Sequence, residues 1–183
     1  IATMESSWAP RYIATNGFVD ISDKVKPHSD DFVQYKWDSL KMNGDYYGVP
    51  WDVGPCGVFY RRDVFEEAGL PTKPEEVAKL LATWEDYYEV AKKVKQKTGK
   101  KMLALPKGNF QGNPRLFQIM LQQQKVSFFN SDGEVIVDKL KAVKTAKYFN
   151  KFWEEDLALN ATAWSSGWYA GIKKGEVATL VNG

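Results

Sequence analysis

The chain has 183 residues, 44% of them hydrophobic and 26% charged, which fits a folded protein of one domain or a little more and excludes disordered, collagen-like and coiled-coil classes. Twenty-five Lys and Arg against 23 Asp and Glu leave a formal charge of +2 with no strongly basic stretch, so no nucleic acid partner is expected. No run reaches the roughly 18 consecutive apolar residues of a membrane-spanning helix, and one Cys with one His supplies neither a disulfide framework nor a soft-ligand zinc site, so no metal or cofactor is expected.

The chain opens on a short apolar run at residues 1–4, after which Ser6 or Ser7 can cap a short helix that carries Trp8, Tyr12 and Ile13 and ends at Gly17. Asp30 or Asp31 opens a second helix, in which Val33, Trp37 and Leu40 share a face. Gly44-Asp45 then turns into a short strand over 46–50, and a second extended run covers 57–60. Between them lies the Gly/Pro segment Trp51-Asp52-Val53-Gly54-Pro55-Cys56, a candidate crossing between lobes.

Downstream the pattern becomes strongly helical. A helix over 61–68 is closed by Gly69, and Pro74 starts another through Leu81. Thr83-Trp84-Glu85-Asp86 resembles a capping box with Asp in the acidic position, and the helix it opens ends at Gly99. A strand is expected over 102–105, then a loop over 106–113 and a helix from Pro114. The turn Asn130-Ser131-Asp132-Gly133 feeds a strand over 135–137, followed by a helix from about Asp138 to Asp156 whose buried face would hold Ala142, Ala146, Phe149 and Trp153. A last helix, 166–174, is stopped by Gly175 before a strand-like run over 177–181. Strands alternating with helices predict an α/β fold. Neither end has the pattern of a natural terminus, so the sequence reads as the interior of a longer chain.

Several segments together resemble a known family. Trp8 followed by Gly17-Phe18-Val19-Asp20-Ile21, Gly48-Val49-Pro50, Val58-Phe59-Tyr60-Arg61-Arg62-Asp63-Val64-Phe65, Ala68-Gly69-Leu70, Thr83-Trp84 and Gly175-Glu176-Val177-Ala178 resemble, in order, the sugar-binding solute receptors of bacterial ABC transporters, the group that includes the maltose-binding proteins. The resemblance implies a two-lobe, type II periplasmic-binding-protein-like fold, incomplete over this length. Residues 1–53 would belong to the N-terminal lobe, 54–60 to a hinge strand and 61–183 to most of the C-terminal lobe. It also implies an extracellular, periplasmic or lipid-anchored receptor that captures a carbohydrate in an interlobe cleft and hands it to permease subunits, without catalysis.

The candidate ligand-binding residues follow from chemistry and from this resemblance. Trp8, at a helix start, matches a sugar-stacking aromatic; an indole face suits the C–H surface of a sugar ring, and core packing is the alternative. Arg11 stands where some relatives carry an acid, which leaves the polar partner open. Asp52, beside Trp51, can accept two charge-assisted hydroxyl bonds or cap its own turn. Asn109, Gln111 and Asn113 offer donors and acceptors beside Phe110, either as a cleft loop or as a solvated one. Trp164 and Trp168, four apart, can form one aromatic face, with Trp168 packing its helix and Trp164 as a site candidate. Trp37, Trp84 and Trp153 belong to amphipathic patterns and are expected in the core. The lysines over 92–101 read as a solvated face at a helix C-terminus, and Asn160-Ala161-Thr162 is formally a glycosylation sequon.

Two other functions remain open on sequence. A glycoside hydrolase also needs a Trp-lined site, but it needs two facing acids, and Asp52 has no evident second member. A receptor for a polyamine or another non-sugar solute would want clustered acids or anion-binding groups, whereas the Trp and amide content favours a neutral sugar.

Overall fold

The structure, a computed structural model, describes residues 1–5, 8–107, 115–130, 132–137 and 139–182. The backbone divides into two compact units, 1–55 and 56–183.

The first unit is built from short helices: α1 (Ala9–Ala14), α2 (Ser22–Val25), a 3-10 turn (Lys26–Asp31) and α3 (Gln34–Asp38). Its only strands among the described residues are β1 (Lys41–Met42) and β2 (Asp45–Tyr46), joined by Asn43-Gly44, both at positive φ. That pair suits a tight two-residue hairpin turn, so the turn lies one residue earlier than Gly44-Asp45. Residues 1–5 form no strand, and the expected Ser6 or Ser7 cap falls outside the described residues. The second helix differs from expectation: Pro27 fits the first turn of a 3-10 segment, and Val33 is an exposed extended residue just before α3 rather than part of a buried face. Trp37 is fully buried with Val25 and Tyr46, stacked on Phe32 at 5.3 Å. Asp20 holds this small core together through Ser22. Its Oδ1 accepts from the Ser22 N–H at 2.8 Å and from the Ser22 hydroxyl, whose oxygen in turn accepts from the Tyr46 N–H. These bonds, led by the Ser22 hydroxyl, lower the Asp20 pKa.

The second unit contains β3 (Gly57–Tyr60), α4 (Arg62–Glu67), α5 (Pro74–Leu80), α6 (Trp84–Thr98), β4 (Leu103–Ala104), α7 (Arg115–Gln123), α8 (Leu140–Glu154), β5 (Ala158–Leu159), α9 (Ser166–Lys173) and β6 (Thr179–Asn182). Parallel β4 and β5 pair directly, a parallel bridge between Lys101 and Val177 leads from β4 towards β6, and β3 runs antiparallel to β6. Helix α6 starts at the expected capping box, with Thr83 accepting from the Asp86 N–H and Asp86 from the Thr83 N–H, and it ends on left-handed Gly99. The expected strand over 135–137 reduces to a single bridge between Phe129 and Val135.

On α8 the buried stripe is Ala142, Thr145, Phe149 and Phe152; Ala146 is exposed and Trp153 is half-buried. Thr145 enters because its hydroxyl is satisfied, accepting from Gln124 Nε2 at 2.8 Å and donating to Lys141 O. Trp153 stays near the edge, donating its indole N–H to Leu105 O. Two segments that carried the family resemblance meet here. The Arg61 guanidinium donates to Ile172 O and Lys173 O at the C-terminus of α9, and a Cβ on left-handed Gly175 would lie 3.3 Å from Arg61 Cζ. Arg61 also pairs with Asp63, whose carboxyl is held down to about 2 chiefly by that hydrogen bond.

Candidate functional site

The edges of the second unit's sheet divide its chemistry. At the N-terminal edge Lys101 and Lys95 bind Asp156 and hold its carboxyl down to about 2, an ion cluster that joins α6 to the segment before β5. The C-terminal ends of β4, β5 and β6 point the other way, the edge at which open α/β sheets present ligand-facing loops. That edge carries residues 105–107 after β4, 160–165 after β5, and Asn182 at the end of β6. Asn182 Oδ1 is buried with no hydrogen-bond partner among the described residues.

Trp164 lies on this edge, 61% exposed, with its backbone at φ +67°. A left-handed backbone costs a bulky residue about 1–2 kcal/mol, so the surrounding loop over-determines it. The Ser165 N–H donates to Thr162 O, the Ser165 hydroxyl caps α9 by accepting from the Trp168 N–H, and the Trp164 ring stands 5.0 Å from that of buried Trp168. Tyr169 adds a third, exposed ring at 6.3 Å from Trp164. Beside them a small depression is lined by Leu105 and Pro106 after β4, Ala163 and Trp168 after β5, Leu116 of α7 and Val181 of β6. The exposed rings of Trp164 and Tyr169 give this part of the chain an aromatic surface of the kind that suits the face of a sugar ring. The loop candidates Asn109, Phe110, Gln111 and Asn113 lie outside the described residues.

In the first unit α1 turns Ala9 and Ile13 inward and leaves Trp8, 60% exposed, and Tyr12 on its outer side. Trp8 is therefore no core residue in this unit, and Tyr12, whose ring stands 6.2 Å from that of Phe18, is a second exposed aromatic on the same helix. Arg11 on the same helix is exposed. Trp51, 85% exposed, and Asp52 sit in an extended segment without helix or strand. Tyr12, Tyr169 and Asn160 are not among the ligand-binding candidates from sequence, where Tyr12 appears only as a helix residue and Asn160 only in a sequon; for the two tyrosines the signal is a spacing of four and five from Trp8 and Trp164. Among the described residues, no group of three His, Cys, Asp or Glu is arranged to hold a metal ion.

Comparison with known proteins identifies the family and the fold. All 183 residues match the family described as bacterial extracellular solute-binding protein, and the chain belongs to that family. It is 32% identical over 185 residues to a lactose-binding protein of Rhizobium radiobacter, covering 100% of this chain and 42% of the relative. An arabinooligosaccharide-binding protein of Halalkalibacterium halodurans is 28% identical over 149 residues, covering 81% of this chain and 31% of that one. Among solved structures, the ABC transporter associated binding protein from B. animalis subsp. lactis Bl-04, in complex with β-1,6-galactobiose, superposes with a TM-score of 0.78 at 25% identity, over 97% of this chain and 43% of the other. The chain spans less than half the length of each of these relatives, and its fold is part of the type II solute-binding-protein architecture expected from sequence.

Proposed function

We propose that the protein is the substrate-binding component of a bacterial ABC transporter, which captures a neutral disaccharide or oligosaccharide and delivers it intact to permease subunits. The observation that carries this reading is the sorting of its tryptophans: Trp37 and Trp168 are buried, whereas Trp8, Trp51 and Trp164 present their rings to solvent in a family of solute receptors. An indole face offers an apolar platform that fits the C–H surface of a stacked sugar ring. Lactose, arabinooligosaccharides and galactobiose, the sugars named for the relatives, are all uncharged and hydroxyl-rich.

In this reading Trp8 and Trp164 stack on sugar rings, and Arg11, Trp51 and Asp52 contribute in the first unit. Asn109, Phe110, Gln111 and Asn113 supply hydroxyl partners and a further ring. Residues 54–60 serve as the hinge strand between a first lobe containing 1–53 and a second containing 61–183. The protein works outside the cytoplasmic membrane, either free or held by a lipid anchor. In this reading the sugar is bound without covalent chemistry, supported by the sequence offering Asp52 no evident second acid of the kind a glycosidase needs. Incubation of the full-length protein with lactose and arabinooligosaccharides is expected to return both sugars unchanged on chromatography. Cleavage that disappears in Asp52→Asn would favour a hydrolase instead.

A further inference from the structure

We infer that Asn160 is a positioning residue for sugar binding, one that fixes the spacing between the two loop walls of the depression at the C-terminal edge of β4 and β5; this rests on the receptor reading above. Asn160 Oδ1 accepts a hydrogen bond from the Lys107 backbone N–H at 2.8 Å, across 53 residues of sequence. The last direct β4–β5 ladder bond is from the Leu105 N–H to Leu159 O at 2.9 Å, so the side chain of Asn160 continues the pairing two residues further than the backbones do. On one side of this bond the chain runs through Leu105 and Pro106, and on the other through Ala163 to Trp164 and Trp168. These are the walls of the depression and its aromatic rim.

Among the described residues the Lys107 N–H has no strand opposite it, and Pro106 cannot donate, so the carboxamide oxygen supplies an acceptor that ties the start of the β4 loop to the β5 loop. A side chain of this length with an acceptor at its tip is required: Asp retains it and Ala removes it. Without the bond the two walls become free to separate, and a sugar must then restore their spacing as it binds. Affinity falls by the cost of that ordering, and most of the change appears as faster release. The side chain is exposed and contributes to no part of the buried core, so the fold does not depend on it.

The test compares the full-length parent, Asn160→Ala and Asn160→Asp, titrated with lactose, arabinotriose and β-1,6-galactobiose, with thermal unfolding of each and with hydrogen exchange at the Lys107 amide. For the sugar that the parent binds, Asn160→Ala is expected to lose about three- to tenfold in affinity, a loss of one net hydrogen bond. Its melting temperature should stay near that of the parent, and its Lys107 amide should exchange faster. Asn160→Asp should restore both affinity and protection. Parent-like binding by Asn160→Ala, failure of Asp to rescue, or loss of the fold in Asn160→Ala would each overturn the positioning role while leaving the receptor reading intact. A folded parent that binds none of the three sugars would overturn the receptor reading and, with it, this role.

Discussion

Replacing Phe149 by alanine is expected to lower the stability of the second unit by about 3–5 kcal/mol, the usual cost of emptying a buried aromatic site. Phe149 is 1% exposed on the inner stripe of α8, with Phe117 at 6.1 Å and Tyr148 at 6.0 Å, inside the cluster that joins α4, α6, α7 and α8 to β4 and β5. The neighbours come from several helices and cannot all collapse into the space, so a cavity term adds to the lost transfer energy. With native proteins stable by only about 5–15 kcal/mol, such a loss takes a large fraction of the total. Leu140→Ala, at a position 67% exposed at the start of the same helix, should change stability by less than about 0.5 kcal/mol. Denaturant unfolding of both variants measures the contrast. Equal midpoints for the two would show that α8 does not pack on the face described.

Trp8→Ala is expected to weaken sugar binding by about 1.5–3 kcal/mol, the scale of burying one large apolar side chain, or roughly ten- to more than hundredfold in affinity. Ala9 and Ile13 anchor α1, while the Trp8 ring lies outside that contact, so the variant should fold normally. Trp37→Phe provides the opposite case. Trp37 is 0% exposed and packs 4.5 Å from Tyr46, so its replacement should reduce stability and leave affinity nearly unchanged. Calorimetry and thermal unfolding of both variants separate a binding aromatic from a core one. Trp8→Ala that unfolds, or that binds sugar as tightly as the parent, would remove Trp8 from the site.

The helices of the second unit were legible in sequence because their ends carry local chemistry: the Thr83 and Asp86 box, Gly69, Gly99 and Gly175 at left-handed positions, and Pro74 in a first turn. Misreadings arose where tertiary contact decides. Periodicity placed Ala146 and Trp153 on the buried face of α8, but the Gln124 amide makes a buried Thr145 hydroxyl acceptable, and the stripe shifts by one residue to Phe152. Strand β5 has two residues, too few for any alternation to register, and it exists because β4 lies beside it. In the first unit Asn43-Gly44 carried the hairpin signal in full view, whereas the position of Val33 depends on Pro27 favouring a 3-10 turn.

Legibility of the candidate site followed the same division. The family resemblance pointed to Trp8, which residue type alone would leave in the core, and the spacing of four from Trp168 made Trp164 a candidate. The Asn160 bond to Lys107 joins segments 53 residues apart, and no spacing rule along the chain announces it. Tyr12 and Tyr169 became candidates once the helices fixed which rings face outward.

Titration calorimetry of the full-length protein with lactose, arabinooligosaccharides and β-1,6-galactobiose tests the central claim most directly. The expected result is saturable binding of at least one of them, with the sugar recovered chemically unchanged and the affinity reduced in both Trp8→Ala and Trp164→Ala. Absence of binding to every one of these sugars by a protein that unfolds cooperatively, or binding indifferent to both substitutions, would contradict it.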